Sequence, residues 1–416
     1  MKKEMQKCSR RQFLKTAGVA GVGSLLASRA MAAPPAVEQP ATSPPALPQT
    51  GDAKVPTRPF GKSGRQVSIL SLGGMFDIDA NQLMLKQAIQ WGVTYWDTAD
   101  CYHAGSEKGI GKYFAKYPQE REKIFLVTKS DARDPDGLSK LLARSLERMQ
   151  TDYIDLYFIH GVGSINELTG DTRRWAEQAK AQNKIRLFGF STHRNMAALL
   201  QDAAKLDWID GIMLSYNYHL MNDPATQAAV AACAQAGIGL TAMKTQGGGS
   251  WYDWRKSTQA GKALAEQFRQ KGWSEEQAKL KAVWQSPHIA SICSQMDSMR
   301  LLKANVDAAA DPTPLSSGEI RLFRDYACAT AANYCAGCGS ICEAALSAQI
   351  PISDIMRYHM YNRGYGRADW AKAHFSALPA TVRRMLPLTD FSAAEERCPQ
   401  RMPIGRLMKE ALEDFA

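Results

Sequence analysis

From residue 65 to about residue 310, short apolar runs alternate with amphipathic segments. The runs at 67–72, 94–97, 124–128, 154–159, 187–190, 211–215, 238–242 and 290–293 are almost free of polar interruption. The stretches 81–90, 107–116, 136–149, 171–182, 194–205, 224–235, 274–285 and 299–308 carry their apolar residues at helical spacing. Runs without polar alternation are strands buried on both faces, so the pattern predicts parallel βαβ units rather than hairpins. Eight such units over about 250 residues predict an α/β chain folded as a (β/α)8 TIM barrel. A doubly wound open sheet is the competing arrangement, but Gly73–Gly74 follows the first strand without the other glycines of a dinucleotide-binding turn. After residue 315 the alternation stops, and a mostly helical segment of about 100 residues follows. The expected division is therefore a barrel over 57–315 and a small helical domain over 316–416.

The first 56 residues fit neither part. Arg10–Arg11 and Phe13-Leu14-Lys15 precede the apolar stretch 17–27 and the small residues around Ala30–Met31–Ala32. A basic region, an apolar region and a cleavage site in that order mark an export signal over 1–32, and the paired arginines look like a twin-arginine signal. Residues 33–56, rich in Pro, Ala, Ser and Thr in their first part, read as an extended linker. No other apolar run is long enough to span a bilayer. An exported, periplasmic or otherwise extracytoplasmic location follows, with the twin-arginine export machinery as a partner.

Charge changes the picture little. The whole chain carries +10, of which residues 1–32 contribute +6 (seven basic side chains and Glu4), leaving +4 for the rest. That balance, with no basic stripe interleaved with aromatics, argues against a nucleic-acid partner.

The chemistry sits where strands end. Asp97 closes GVTYWD, Tyr102 follows five residues later, Lys129 closes IFLVTK and His160 closes IDLYFIH. Catalytic groups of such barrels come from the C-terminal ends of strands, and four ionisable residues at adjacent ends point to a reaction centre. A phenol has an ordinary pKa near 10 and is a poor proton donor at neutral pH until a cation stabilises its anion.

The motifs GVTYWDTADCY with SEKGIGKYF, VTK, TDYIDLYFIH, KIRLFGFS and Tyr216–Asn217 resemble the aldo-keto reductase family over about residues 58–310. The resemblance implies a small carbonyl substrate reduced to an alcohol. Tyr102 would be the general acid, Lys129 would lower its pKa, Asp97 would hold Lys129, and His160 would orient the carbonyl. It also implies a nicotinamide dinucleotide, NADP(H), over strands five to eight. Ser191 fits a carboxamide contact, Thr192 stands where the family often has Asn, and Met213 where Gln is common. Lys244 with Gly247–Gly248–Gly249 would meet the pyrophosphate. Arg300 would be the cation for a 2′-phosphate, and Asn305 ends the matching segment.

The helical tail holds Cys335-x2-Cys338-x3-Cys342 and then Cys398-Pro399. Disulfides suit an exported protein, zinc is a second reading, and an iron–sulfur cluster is a third. The Cys-Pro ending favours the third. The tail resembles a two-cluster ferredoxin reduced to one set of ligands, and ferredoxin-like tails occur on some bacterial aldo-keto reductases. That resemblance implies one 4Fe-4S cluster on Cys335, Cys338, Cys342 and Cys398, with Cys328 as substitute ligand. Cys101 has no base near it in sequence, and Cys233 and Cys293 read as core residues.

Free NADPH is not expected outside the cytoplasm, so two functions stand. One is an exported carbonyl-reducing enzyme with NADP(H) as hydride source, bound before export or replaced by electrons fed through the cluster. The other is an electron-transfer or binding protein on the same scaffold, without a nicotinamide cofactor and with a candidate redox partner protein.

Overall fold

The computed structural model describes residues 54–102, 105–248 and 258–415. The export signal, nearly all of the linker and Gly249 lie outside them.

The chain enters through a hairpin, β1 (Thr57–Pro59) and β2 (Gln66–Ser68), paired antiparallel with Arg58 opposite Val67. Eight parallel strands then close into a barrel: β3 (Leu70–Gly73), β4 (Tyr95–Asp97), β5 (Phe125–Ser130), β6 (Ile154–Ile159), β7 (Ile185–Thr192), β8 (Gly211–Ser215), β9 (Gly239–Met243) and β10 (Ile289–Gln295). Each pairs with its neighbour in sequence, and β10 closes on β3 through Ile292 opposite Leu70. The apolar run 67–72 is thus not one strand. It is split between hairpin and barrel at Ile69, whose N–H is taken by Pro56 O at 2.9 Å.

Side chains of a strand alternate between the barrel interior and the helical layer. Tyr95 of β4, Phe125 and Val127 of β5, Leu156 and Phe158 of β6, and Met213 of β8 share the inner cluster. Phe60 from the hairpin turn packs there, its ring 5.3 Å from Phe125. The intervening residues Trp96, Leu126 and Tyr157 belong to the cluster under the surrounding helices. Continuing the inward series by two residues gives Asp97, Lys129 and His160. The same parity that fills the core therefore brings the ionisable groups to one rim.

Several of the helices packed around the strands start on side chains that satisfy a first-turn N–H, as Asp134, Thr169, Asp223, Ser274 and Ser298 do. One helix, Gln259–Arg269, has no counterpart among the sequence expectations. It is joined by Ser317–Thr330, and the two share a cluster of Leu264, Phe268, Phe323 and Tyr326 with Tyr218 of the barrel. The sequence boundary at residue 315 therefore does not match the packing. Residues 317–330 extend the barrel's outer layer, and the separate core of the tail begins near Cys335, built on Ile355, Met356, Phe375, Leu407 and Phe415.

Candidate active site

Lys129 rises from β5 and is almost wholly buried. Its Nζ lies 2.7 Å from both carboxylate oxygens of Asp97 and 2.7 Å from Thr98 O, with the Tyr102 hydroxyl at 3.4 Å. The loop carrying Tyr102 is fixed by its neighbour Asp100. The Asp100 N–H is donated to Lys129 O at 3.0 Å, and its carboxylate is held by Arg144 and by Arg148 at 3.0 Å. Arg148 also reaches Glu107 at 3.1 Å, which ties the following helix, Ser106–Lys116, to the same point. His160 follows β6, its ring 6.2 Å from that of Tyr102 and edge-on to it. Its Nδ1 lies 3.0 Å from Asp131 Oδ1. Asp97, Tyr102, Lys129 and His160 are thus brought together.

One electrostatic expectation is corrected. Burial first, and then the negative charge of Asp97, hold the Tyr102 phenol well above its ordinary pKa. Burial is the main cause, and Lys129, matched by a carboxylate at bonding distance, does not offset it. Tyr102 is accordingly a protonated donor across the neutral range. Burial, followed by the Lys129 charge among the other causes, lowers the pKa of His160, and the Asp131 contact only partly opposes this.

Two thiols join this rim. Cys293 of β10 lies with Sγ 3.5 Å from Asp97 Oδ2, where burial and that carboxylate raise its pKa well above the usual thiol range. Cys101 has its Sγ 3.4 Å from His160 Nδ1, so it does have a base beside it. Sequence could not give that pairing, since the two residues lie 59 positions apart.

The residues expected to meet a dinucleotide are less alike in placement. Ser191 faces inward, and its Oγ accepts the Gly161 N–H at 3.0 Å, leaving its own hydrogen to donate. Thr192 points the other way, its hydroxyl bonded to Arg194 O at 3.1 Å. Met213 lies in the inner cluster. Ser215, two residues further along β8, is the residue that reaches the rim, and strand parity from Met213 was the signal for it. Asn305 donates to Ser294 Oγ at 3.1 Å, and Arg300 is exposed. Lys244 sits just past β9 with a left-handed φ of 56°, its Nζ 3.0 Å from His193 Nδ1. Gly247, with φ 67°, is close-packed: an added Cβ would lie 2.9 Å from the Tyr218 ring.

The tail lies directly on this part of the barrel. Arg194 donates to Asp354 at 2.9 Å and Glu343 at 3.0 Å. The Asn195 N–H reaches Gly337 O at 2.8 Å, and Asn217 donates to the Tyr334 hydroxyl at 2.8 Å. The Tyr334 ring stacks on His219 at 4.4 Å. Gly337 has φ 75°, and a Cβ there would meet His193 O at 2.2 Å, so only glycine allows this approach. Tyr361, from the helical stretch after His359, has its ring 5.1 Å from Lys244 Nζ. Its place near Tyr102 was not visible in the sequence.

Within the tail, Cys335, Cys338, Cys342 and Cys398 line one cavity of about 330 Å³, whose other walls include Ile352, Met356, Met402 and Ile404. All four are free cysteines. Burial pushes Cys338 up to about 11 and Cys342 up to about 12, and the other thiols of the set add to both.

The closed barrel thus carries a buried Asp–Lys pair, a tyrosine and a histidine at its C-terminal rim. The sequence profile described as the Aldo/keto reductase family matches residues 70–304, and the chain belongs to that family. A second profile, the twin-arginine translocation pathway signal sequence, matches residues 7–27 and points to export across the membrane. Among the described residues no helix is long and apolar enough to cross a membrane. The uncharacterized oxidoreductase YqkF of Bacillus subtilis is 27% identical over 303 residues, 65% of this chain and 95% of that protein. The NADP(+) aldo-keto reductase yakc of Schizosaccharomyces pombe is 31% identical over 183 residues, 40% of this chain and 51% of that protein. A thermostable aldo-keto reductase solved with the inhibitor epalrestat superposes with a TM-score of 0.54 at 25% identity, covering 65% of this chain and 99% of that one.

Proposed function

We propose that this enzyme is an exported, periplasmic carbonyl reductase in which Tyr102 protonates the oxygen of a small aldehyde or ketone. The observation that carries the reading is the contact of Lys129 with both Asp97 oxygens at 2.7 Å and with the Tyr102 hydroxyl at 3.4 Å. In this reading the carbonyl oxygen lies between the Tyr102 hydroxyl and the His160 ring. Tyr102 gives up its proton as negative charge grows on that oxygen. Lys129 is the nearest cation to the phenolate that forms, and Asp97 keeps Lys129 in place. His160, kept neutral by burial, has its Nδ1 proton directed at Asp131, so it bounds the carbonyl pocket and presents its other nitrogen as an acceptor.

NADP(H) is the hydride source in this reading; when bound, it supplies a hydride to the carbonyl carbon. Ser191, with its hydroxyl hydrogen unused, and the exposed cation Arg300 are the groups that fit it. Thr192 and Met213 do not, since one is engaged with Arg194 and the other is in the inner core. The tail is read as holding one 4Fe-4S cluster on Cys335, Cys338, Cys342 and Cys398. Four free cysteines lining one largely apolar cavity fit a thiolate-held cluster better than paired disulfides. The twin-arginine machinery would then carry the protein already folded and loaded.

A second reading, an electron-transfer or binding protein without a nicotinamide cofactor, is favoured by the tail. Tyr334 to Gly337 lie against the loops after β7 and β8. One experiment separates the two. Protein purified anaerobically is denatured, and released nucleotide, iron and sulfide are counted. Four irons with NADP(H), and loss of carbonyl reduction in Tyr102→Phe with an unchanged visible spectrum, support the reductase. Four irons with no nucleotide bound or bindable support the second reading.

A further inference from the structure

Where the tail meets the barrel rim, an open cleft encloses about 430 Å³. Its polar walls include His193, Ser215 and Lys244 from the barrel and Ser353 and Arg357 from the tail helix Ile352–His359, with Tyr334 and the thiol of Cys335 beside them. Among the described residues no aspartate or glutamate lines it. Among the described residues Lys244 has one hydrogen-bond partner, His193 Nδ1 at 3.0 Å, which brings no negative charge. Arg357 gives one end of its guanidinium to Asp354 at 3.1 Å, while its Nε is buried without a partner. Asp354 is shared with Arg194 at 2.9 Å, and Arg194 also has Glu343 at 3.0 Å, so these two arginines and two carboxylates balance and Lys244 is left as the cation without a carboxylate partner. A buried ammonium without a carboxylate partner and a guanidinium nitrogen without a hydrogen-bond partner, both at one cleft, cost free energy that an entering anion would recover.

The cleft lies within electrostatic reach of the catalytic groups. Burial, then Arg357, and also Lys129 pull the Lys244 pKa well below its ordinary value, so Lys129 lies within electrostatic reach. The Tyr361 ring, 5.1 Å from Lys244 Nζ, is also close enough to Tyr102 to raise its pKa.

We propose that this cleft is an oxyanion site, and that the substrate is an aldehyde or ketone bearing a carboxylate or phosphate held by Lys244 and Arg357 while its carbonyl faces Tyr102. The inference deepens the carbonyl-reductase reading and rests on it for the identity of the substrate. It also gives the tail a part in recognition, because Arg357 belongs to the tail and Lys244 to the barrel.

The test uses the full, cofactor-loaded protein. Titration calorimetry with succinate and, separately, inorganic phosphate is run on the parent, Lys244→Met, Arg357→Gln and Arg357→Lys, with circular dichroism confirming each fold. At least one anion binds the parent, and Lys244→Met and Arg357→Gln each weaken it by roughly tenfold or more, with Arg357→Lys between. Preference for succinate assigns the anion as a carboxylate, preference for phosphate as a phosphate ester, and either supports the site. In turnover, the kcat/KM ratio of succinic semialdehyde to butanal falls in Lys244→Met, or that of a phosphorylated aldehyde does. No anion binding, or equal affinity in the folded variants, overturns the proposal. So does displacement of succinate by NADP(H) together with a Lys244→Met defect confined to NADP(H), since the cleft would then serve the dinucleotide. If no aldehyde is reduced while anion binding still depends on Lys244, the reductase reading falls and the oxyanion site stands.

Discussion

Lys129 places its ammonium 2.7 Å from both carboxylate oxygens of Asp97, with the two side chains only 1% and 2% exposed. Such a pair contributes little net stability while intact, because both charges have lost water. Breaking it is different. Lys129→Met should leave Asp97 as an unpaired buried charge and cost about 3–5 kcal/mol. Asp97→Asn combined with Lys129→Met should recover a large part of that loss. Urea unfolding of the three proteins measures it, and a double variant no more stable than Lys129→Met alone would show that the pair is not the source of the cost.

How far the sequence foretold this centre follows from strand parity. Asp97, Lys129 and His160 each lie two residues beyond an inward-facing apolar residue, so their common rim could be read from the runs alone. The role of the inner cluster was also legible, since Met213 obeys the same parity. What could not be read were contacts across long separations. Cys101 beside His160 depends on two strands closing side by side. Tyr361 near Lys244 depends on the tail folding back over the rim, for which no local pattern exists. The depressed acidity of Tyr102 was missed for a related reason. The sequence names the cation but not the burial that outweighs it.

The four cysteines of the tail give a second expectation. Cys338→Ser removes one thiol from the cavity of about 330 Å³ and should lose most bound iron and sulfide. Because a small core that surrounds a metal site draws much of its order from it, the tail should also unfold earlier than the barrel. Iron and sulfide analysis with a two-phase thermal melt checks this. Iron content equal to the parent would return the tail to zinc or to disulfides.

Arg194 is the bolt between the two parts. It reaches Asp354 at 2.9 Å and Glu343 at 3.0 Å, and Glu343 in turn accepts from the Ser353 hydroxyl at 2.8 Å. Arg194→Ala should leave Glu343 without its cation and Asp354 with Arg357 alone, and weaken docking by about 1–3 kcal/mol. Hydrogen exchange should quicken in residues 334–345 and leave β4 to β6 unchanged. Uniform protection in the variant would mean that Tyr334 and the Gly337 approach hold the tail without it.

The buried histidines set the pH response of the fold. His359 is fully buried, its Nε2 2.7 Å from Leu407 O and its Nδ1 3.4 Å from Asp414. Burial lowers its pKa below 6.5, Arg363 adds to this, and the Leu407 carbonyl, Asp414 and Glu410 only partly oppose it. The folded chain therefore refuses a proton that the unfolded chain takes up near pH 6.5. With more protons bound unfolded than folded, stability rises with pH, so it is lost as pH falls below about 6.5 until the folded pKa is reached. One such group contributes a slope of at most about 1.4 kcal/mol per pH unit. His193 and His160, whose pKa values are lowered as well, add in the same direction. Urea midpoints measured from pH 7.5 down to 5.5 should fall, and His359→Gln should show a shallower fall than the parent. An equal slope in a folded His359→Gln protein would move the pH response to His193, His160 or the carboxylates.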